Sequence, residues 1–442
     1  MQTLETTVFD ELKSPLGDAE AVVEADRCLE CGGYASAPCV LACPAHIDIP
    51  GFVGAIASDD PEEAAETIFA ENLLGGTCAR VCPVEELCEG SCVLVHEGRR
   101  PVEIARLQRY ATDWALAAGV PLRRERAPHN GHRVAVLGAG PAGLTCAGEL
   151  AARGYDVTVY DEREEPGGLV RFAIAPYRII RDPLPEEALA LAELGVRFAF
   201  GVRVDSPKVL RAIEADVEAV FLGVGMGADA DVSYPGDDLP GVWESLPFIE
   251  AIKDGEPPAV GRRVAVIGGG NTAVDVACEA RRLGAPDVTM VYRRTEAEMP
   301  AYAHEVEFAR DEGVRFQWLT NPIRFAGTSR VEGVECISMR LGDPDQSGRR
   351  RPEEVPGTEF VLPADTVVKA IGQQPRNELL SWIKGLELDG GLIRVDAETG
   401  RTSNPKYFAA GDAVNGGATV VEAVRGAKLA ARAIDAVVGG SR

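Results

Sequence analysis

One pattern occurs twice in the 442-residue sequence and constrains the fold more than any other feature. In each copy an apolar strand runs into a glycine-rich turn, and a helix follows. The first copy starts at Arg133 with RVAVLGAGPAGLTCAGEL, and the second starts at Arg263 with RVAVIGGGNTAVDVACEA. Strands and helices that alternate in this way form parallel, doubly wound sheets. The sequence therefore predicts the α/β class, with two such domains.

The first glycine turn has the spacing of a dinucleotide site. Gly138 allows the tight turn, Gly140 lets the backbone approach a pyrophosphate, and Gly143 permits close packing of the helix. The acid that ends the next strand suits ribose hydroxyl groups. A glycine-rich turn without a ligand is the alternative, but strand, turn, helix and acid all align. The predicted contacts at this turn are Gly138, Gly140, Pro141, Ala142, Gly143 and Asp161.

The second turn repeats the glycine pattern but ends its strand differently. Tyr292 occupies the position of the acid, and two arginines follow it. Guanidinium groups offer charge-assisted, bidentate hydrogen bonds to a 2′-phosphate, which an acid would repel. NADPH is therefore favoured over NADH; a solvated basic strand end is the alternative. The predicted contacts are Gly268, Gly270, Asn271, Thr272, Ala273, Arg293 and Arg294.

Additional polar and glycine-rich segments surround the first turn alone. EEPGGLVRF follows its acidic strand end, and GDAVNGGATVVEA follows the last strand of the chain. A helix that begins near Thr419 would direct its positive end at a ring and stabilise an anionic reduced flavin. We therefore expect FAD at the first turn, with Asp412 facing its ribityl or phosphate region. The further predicted contacts are Gly168, Leu169, Gly411, Asp412, Ala418, Thr419 and Val420.

Chain order predicts how these parts are arranged. Helical patterns at 62–72 and 102–119 precede a linker at 121–132 that is rich in charged residues and turn formers. The strand YFAAGD near the end of the chain would complete the first nucleotide domain, so we expect the second domain to be inserted within the first. The predicted boundaries are 1–125 for a helical cysteine region, 126–257 and 363–442 for the two parts of the FAD domain, and 258–362 for the NAD(P)H domain.

Eight of the eleven cysteines lie between Cys28 and Cys92. In chain order they form two groups of four, and a proline follows the last cysteine of the first group. Thiolates are soft ligands for iron or zinc. A CxxC followed by CxxxCP is typical of ferredoxins, in which the last cysteine serves the other cluster. Two [4Fe-4S] clusters are predicted, and structural zinc is the alternative.

Composition restricts the class of partner. The formal net charge of -24 disfavours nucleic acid and anionic membranes; a solvated surface is favoured, and orientation of a basic partner protein is the alternative that charge alone does not separate from it. No run of about 18 apolar residues could span a bilayer. The start of the chain lacks a basic segment followed by an apolar one, so we expect a cytoplasmic location in which the cysteines stay reduced.

Taken together, these motifs resemble the glutamate synthase small-subunit family and the electron-input half of dihydropyrimidine dehydrogenase. The resemblance rests on CLECGG, CVLACP, TCARVCPVEELCEGSC, GAGPAGL, PGGL, GGGNTAVD, VYRRTEAEMPA, AIGQQP and AAGDAVNGGATVVEAV. It implies a glutathione-reductase-like pair of FAD and NAD(P)H domains behind a helical domain with two [4Fe-4S] clusters.

The dihydropyrimidine dehydrogenase branch also implies how the ligands are shared between the clusters. One cluster would take Cys28, Cys31, Cys39 and Cys92, and the other would take Cys43, Cys82, Cys88 and Gln108. Cys78 would then be spare. Spacing alone gives no hint of Gln108, which could also be an ordinary residue on a helix surface.

The expected function is that of an NAD(P)H-oxidising electron-input subunit. Hydride would pass from NADPH to FAD, and single electrons would leave through the clusters to a catalytic partner subunit in a hetero-oligomer. We expect no catalytic acid or base, because the cofactors carry the chemistry. The alternatives are a self-contained NAD(P)H-dependent disulfide or quinone reductase, which the lack of a CxxC after residue 92 disfavours, and a non-enzymatic cluster-bearing scaffold.

Overall fold

A computed structural model describes residues 9–120, 126–344 and 348–441, which form two compact units. The first unit contains Glu11–Arg171, Arg181–Met226 and Pro375–Arg442. The second unit contains Phe172–Ile180 and Gly227–Gln374, together with the described residues before Glu11. Among the described residues, no helix combines the length and the apolar composition needed to cross a lipid bilayer.

The cysteine-rich region of the first unit is helical. Two of its helices start with an aspartate cap followed by proline: Asp48 accepts a hydrogen bond from the amide of Gly51, and Asp60 accepts one from Glu63, both at 3.0 Å. The patterns at 62–72 and 102–119 correspond to the fourth and seventh helices. These helices are α1 (Asp18–Ala25), α2 (Pro38–Ala42), α3 (Ile49–Ala57), α4 (Pro61–Glu71), α5 (Gly75–Val81), α6 (Val93–His96) and α7 (Ile104–Ala118).

The predicted linker at 121–132 lies partly outside the described residues. The nucleotide fold of the first unit follows this segment. Up to residue 222 its elements are β1 (Arg133–Leu137), α8 (Pro141–Ala152), β2 (Asp156–Tyr160), α9 (Leu169–Phe172), α10 (Leu184–Glu193), β3 (Arg197–Ala199), α11 (Pro207–Glu214) and β4 (Ala219–Leu222). All four residues of β4 are buried, which is typical of a strand in a sheet that is covered on both faces.

The second unit contains the other glycine turn. Its elements are β5 (Val242–Glu244), α12 (Ser245–Lys253), β6 (Arg263–Ile267), α13 (Asn271–Arg282), β7 (Asp287–Val291), a 3₁₀ turn (Glu296–Glu298), α14 (Ala303–Asp311), β8 (Arg315–Gln317), β9 (Thr320–Gly327), β10 (Val331–Pro344), β11 (Arg350–Glu354), β12 (Phe360–Pro363) and β13 (Thr366–Lys369). Five of these strands form a parallel sheet in the order β5-β13-β6-β7-β8, and β9 to β12 form an antiparallel sheet.

The chain ends in the first unit. The last elements are α15 (Asn377–Ser381), β14 (Leu388–Asp389), β15 (Leu392–Ile393), β16 (Tyr407–Ala409), α16 (Asp412–Asn415), α17 (Val420–Val438) and a 3₁₀ turn (Gly439–Ser441). Strand β16 pairs in parallel with β4, and the sheet has the order β16-β4-β1-β2-β3. The last strand of the chain therefore completes the first sheet, and the second nucleotide fold is inserted in the first.

The compact units differ from the predicted domain boundaries at both ends of the insertion. Strand β13, which the boundary at 363 assigns to the FAD domain, pairs in parallel with β6, Thr366 facing Val264. The main segment of the second unit accordingly starts at Gly227, before the predicted start at 258, and runs to Gln374, beyond the predicted end at 362. A short, fully buried strand has the same residue pattern in either sheet, so the sequence does not indicate which sheet it joins.

Candidate functional site

The glycines of the first turn are required by close contacts of the backbone. Gly138 has φ +100°, and a Cβ there would lie 2.3 Å from the carbonyl oxygen of Gly223. A Cβ on Gly143 would lie 1.8 Å from the carbonyl oxygen of Gly138. The nearest atom to a Cβ on Gly140 is the Cα of Gly168, at 3.8 Å. The turn is therefore tight on its inner side, and its outer side leaves backbone amides accessible to a phosphate.

The acid at the end of β2 braces this turn. The Asp161 carboxylate accepts hydrogen bonds from the amides of Ala139 at 2.6 Å and Arg163 at 2.8 Å. Carboxylate oxygens have two lone pairs each, so Asp161 keeps acceptor capacity for a ribose hydroxyl. Gly168, with φ +54°, and Leu169, the first residue of α9, lie beyond it, and a Cβ on Gly168 would come within 3.0 Å of the Gly140 Cα.

The loop after β16 returns to the first turn. A Cβ on Gly411, which has φ +77°, would lie 3.1 Å from the Cβ of Ala142 in the first turn of α8, where Pro141 is the first helical residue. The Asp412 carboxylate accepts a hydrogen bond from the Ala418 amide at 3.3 Å. Burial raises the pKa of Asp412. All predicted FAD contacts after residue 410 therefore lie at the start of α16 or between the end of α16 and the start of α17.

Helix α17 begins with a capping box. Thr419 is the N-cap and Val420 is the first helical residue. The Glu422 carboxylate accepts hydrogen bonds from the Thr419 amide at 2.9 Å and from its hydroxyl at 2.8 Å, and the Glu422 amide donates to that hydroxyl at 3.3 Å. This reciprocal cap fixes the start of the helix.

The second turn is built in the same way in the second unit. Gly268 has φ +148°, and a Cβ there would lie 2.2 Å from the carbonyl oxygen of Ala370. No atom lies within 4 Å of a Cβ placed on Gly270, so that face of the turn is open. Ala273 is fully buried in the position that Gly143 has in the first turn. Asn271 accepts a hydrogen bond from the Tyr302 amide at 3.0 Å, and Thr272 is exposed.

The two arginines after β7 have different surroundings. Arg293 is exposed, whereas Arg294 is 5% exposed and donates from Nε to the carbonyl oxygen of Arg350 at 2.9 Å. The Arg350 side chain in turn pairs with Glu298 at 2.7 Å. Arg294 is thus bonded to the first residue of β11, and Arg293 is the more accessible of the two guanidinium groups.

Three neighbouring cysteines and one that is distant in sequence line the first cysteine cavity. Cys28, Cys31, Cys39 and Cys92 surround a cleft of about 410 Å³ of empty volume that is partly open to solvent. The backbone of Glu30 and Cys31 has positive φ, 54° and 32°, so the CxxC loop bends sharply at this cleft.

A second cysteine cavity, of about 390 Å³, lies between α5, α7 and the start of α17. Its lining includes the other four clustered cysteines, one glutamine and one residue of the C-terminal helix, namely Cys43, Cys78, Cys82, Cys88, Gln108 and Val421. Gln108 is 7% exposed, and its Nε2 donates to the carbonyl oxygen of Gly75 at 2.7 Å. The amide oxygen of Gln108 is therefore the atom available to a ligand in the cavity.

The structure brings together the interleaved cysteine sets rather than the chain-order groups. Cys92 lies with the first three cysteines, and Cys43 lies with those that follow residue 77. All eleven cysteines lie in the described part of the chain, and all are free thiols. The residue that sequence reasoning set aside, Cys78, lines the second cavity and is 2% exposed. Val421 was missed because nothing in its sequence context distinguishes it from a core valine.

Burial keeps most of these thiols protonated when no metal is present. It raises the pKa of Cys39 to about 12 and that of Cys88 well above the usual range. The pKa of Cys82 is raised by a hydrogen bond with Cys78 and by burial. Thiolates in such surroundings need a cation to neutralise them, and iron supplies that charge.

These donor sets fit iron–sulfur clusters. Each cavity offers at least three cysteines around an empty volume, and soft thiolates are the ligands that such clusters take. Within residues 9–120, 126–344 and 348–441, no three His, Cys, Asp or Glu side chains form a group that could hold a single metal ion.

Comparison with known proteins separates the cysteine-rich region from the two nucleotide folds. Residues 5–120 match the family described as dihydropyrimidine dehydrogenase domain II, 4Fe-4S cluster, and residues 132–427 match pyridine nucleotide-disulphide oxidoreductase. The glutamate synthase [NADPH] small chain of Halomonas elongata is 38% identical over 94% of this chain and 90% of its own length. The chain belongs to the glutamate synthase small-chain family.

Other proteins are similar over much of this family chain. The NADP(+)-dependent formate dehydrogenase subunit beta of Moorella thermoacetica is 40% identical over 91% of the chain, which spans 60% of that protein. Mycobacterium tuberculosis FprA, solved in complex with NADPH, aligns with a TM-score of 0.57 at 21% identity over 70% of this chain and 86% of its own, and therefore shows a shared fold.

Family membership confirms the predicted fold class and class of function. The chain is an NADPH-dependent oxidoreductase subunit that uses FAD and iron–sulfur chemistry to transfer electrons. The two relatives described above are named as a small chain and a beta subunit, which is consistent with a partner subunit. The number of clusters, the individual ligands and the identity of the partner stay predictions.

Proposed function

We propose that this chain is the electron-input subunit of a hetero-oligomer. It takes electrons from NADPH at the second glycine turn, holds FAD at the first turn and two [4Fe-4S] clusters in the two cysteine cavities, and delivers electrons to a catalytic partner subunit. When bound, FAD accepts an electron pair as hydride and the clusters carry single electrons, which supplies the redox chemistry.

At the second turn, backbone and side chains bind the pyridine nucleotide. The open face at Gly270 and the start of α13 suit the pyrophosphate, because helix amides and the helix dipole favour negative charge there. Asn271 and Thr272 frame that helix start. Arg293, with Arg294 behind it, is placed after β7 where a 2′-phosphate would lie.

At the first turn, the chain holds the flavin nucleotide and orients its ring. The amides around Gly140 bind the pyrophosphate, and Asp161 accepts from ribose hydroxyls. Asp412 and the loop that ends at Thr419 enclose the flavin side. The N-terminus of α17 adds positive potential near the ring.

The interleaved ligand sets hold the clusters. Cys28, Cys31, Cys39 and Cys92 would ligate the cluster of the first cavity, and the second cavity would use Cys43, Cys82, Cys88 and Gln108. Gln108 replaces a thiolate by a neutral amide, which makes that cluster less negative and easier to reduce.

One observation carries this proposal above all others. Helix α17 starts directly after the loop whose Ala418 amide bonds Asp412, and its second residue, Val421, contributes to the lining of the second cavity. The proposed flavin site and the proposed second cluster site therefore share one helix start within the first unit. Short separation of redox groups is what electron transfer requires of a protein scaffold.

Anaerobically purified protein tests the proposal directly. We expect a flavin spectrum, eight iron atoms at about four per cluster, bleaching of the flavin by NADPH, and EPR signals of reduced clusters. Zinc or no metal in the purified protein would contradict the cluster assignment. Reduction of small disulfides would favour the disulfide reductase instead, although Cys146, Cys278 and Cys336 are separately buried on α8, α13 and β10.

The nucleotide preference is tested by Arg293→Ala. Loss of a charge-assisted hydrogen bond should raise the KM for NADPH about tenfold and leave the KM for NADH almost unchanged. The dissociation constant of 2′,5′-ADP should rise similarly. Arg315→Ala, which removes an exposed arginine from β8 of the same sheet, is the matched control. Equal effects on NADPH and NADH would show that Arg293 does not contact the phosphate.

A further inference from the structure

Glu422 is an anion fixed at the junction of the proposed flavin and cluster sites. Its carboxylate is held by both the amide and the hydroxyl of Thr419. The position of the charge is therefore set by the helix start itself rather than by a freely rotating side chain. The residue before it, Val421, lines the second cavity.

The charge of Glu422 affects the pKa of Asp412, on the flavin side of this helix start. Asp412 is the first residue of α16 and accepts a hydrogen bond at 3.3 Å from the amide of Ala418, in the loop that leads into α17. Burial raises the pKa of Asp412, the Ala418 amide lowers it, and the negative charge of Glu422 raises it further.

The same helix start adjoins the cluster side. Glu422 follows Val421, which lines the second cavity together with Cys43, Cys78, Cys82 and Cys88. An opposite charge also reaches this region, because the ammonium group of Lys13 donates to the carbonyl oxygen of Cys82 at 2.5 Å. The helix start that holds this carboxylate therefore adjoins both proposed sites.

We propose that Glu422 is a shared electrostatic residue that lowers the reduction potentials of the flavin and of the second-cavity cluster together. A fixed negative charge disfavours an added electron at any nearby centre. Because it acts on donor and acceptor in the same direction, Glu422 sets the level of both couples and changes the difference between them less. This inference rests on the proposed function, which places FAD and a cluster at these two sites.

Glu422→Gln separates the charge from the cap. Glutamine at the third helical position keeps the capping box, so the helix start is retained and the charge alone is lost. Glu422→Asp keeps the charge. Asp435→Asn, on the same helix, removes an equal charge thirteen residues later, about 20 Å away at 1.5 Å per residue, and keeps an acceptor for the Tyr155 hydroxyl.

The experiment is a redox titration of the purified protein carrying FAD and iron, with the flavin followed by absorbance and each cluster by EPR. In Glu422→Gln we expect one-electron reduction of the flavin and of the second-cavity cluster to become about threefold more favourable, or ~30 mV at 59 mV per tenfold change. The effect is modest because Glu422 is exposed and screened. The first-cavity cluster should shift less, and both Glu422→Asp and Asp435→Asn should titrate as the wild type does.

The results distinguish this inference from the function on which it rests. Wild-type protein without flavin or iron would overturn both. Wild-type protein that carries both groups, with potentials that Glu422→Gln leaves unchanged or shifts no more than Asp435→Asn does, would overturn the role of Glu422 alone. A shift of one of the two centres without the other would likewise refute the shared role.

Discussion

The two cysteine cavities differ in their surroundings although each has cysteines as its main polar lining. The first cavity is bordered by Leu29 and lies beside residues of the Cys28–Cys43 segment whose apolar side chains are unusually exposed, 54% for Leu29 and 61% for Leu41. The second cavity lies between α5, α7 and α17, includes Gln108, and has two buried cysteines, Cys43 and Cys78, whereas all four cysteines of the first cavity are partly exposed. The difference indicates an outer and an inner site, and electrons from the flavin would reach the inner site first.

Serine substitution of one cysteine in each cavity is the strongest test of this difference between the two sites. Cys39→Ser should abolish binding of the outer cluster, and NADPH should still reduce the inner cluster. Cys88→Ser should cost the inner cluster and also stop NADPH, but not dithionite, from reducing the outer cluster. Iron analysis and EPR measure both effects, and Cys336→Ala, in buried β10, should keep all the iron. Reduction of the outer cluster by NADPH in Cys88→Ser would show that the two sites are not in series.

Lys428→Met should weaken the inner site specifically. The Lys428 ammonium group donates to the Glu71 carbonyl and carboxylate, both at 2.6 Å, and to the Ala45 carbonyl at 3.3 Å, two residues beyond Cys43. Its loss should lower the free energy of unfolding by about 2 kcal/mol and speed removal of inner-cluster iron by chelators. Lys406→Met, which removes a single bond to the Glu214 carbonyl, is the control. Equal iron loss in the two variants would contradict an inner-site role for Lys428.

Glu187 should make the inner region sensitive to pH. Its carboxyl group accepts hydrogen bonds from the Gly76 amide at 2.8 Å and from the Thr77 amide and hydroxyl, at the start of the helix that carries Cys78 and ends just before Cys82. Burial raises the pKa of Glu187 to about 7, above its value in the unfolded chain. The folded state therefore binds the proton more tightly, and stability that is complete below about pH 4.5 is lost as the pH rises through 7.

The size of this effect should be on the order of 1–3 kcal/mol between pH 5 and pH 8. Glu187→Gln mimics the protonated carboxyl, so its Tm should fall less over the same range. Thermal melts of both proteins at several pH values measure the difference. Parallel pH profiles of wild type and variant would show that Glu187 does not titrate between pH 5 and 8.

Gln108→Cys tests the difference between the inner and outer clusters through a smaller expected effect, a shift in reduction potential. A thiolate in place of the amide would make the inner cluster more negative, so its one-electron reduction should become about tenfold less favourable, with no change at the outer cluster. EPR-monitored titration measures both. If Gln108 serves only to bond the Gly75 carbonyl, the variant would lose stability while both cluster potentials stayed at their wild-type values.

Much of the fold could be predicted from local sequence patterns. The two glycine turns, the helices at 62–72 and 102–119 and the returning strand β16 follow from periodicity and glycine spacing, because those signals act over a few residues. Strand β13 does not, since its pairing with β6 is decided by a neighbour about one hundred residues away. The same holds for Arg294, which the carbonyl of Arg350 withdraws from solvent while the adjacent Arg293 stays exposed.

The sequence by itself determined the kinds of chemistry available: thiols in number, two turns that admit phosphates, and an arginine pair at one of them. Only the tertiary structure decided which groups meet. Cys43 lies in a cavity with cysteines of the second chain-order group, and Cys92 lies in a cavity with cysteines of the first. The tertiary structure also placed Val421 of the last helix in the lining of a cavity with cysteines more than three hundred residues earlier. Such contacts depend on the packing of whole helices, which no local pattern of residues encodes.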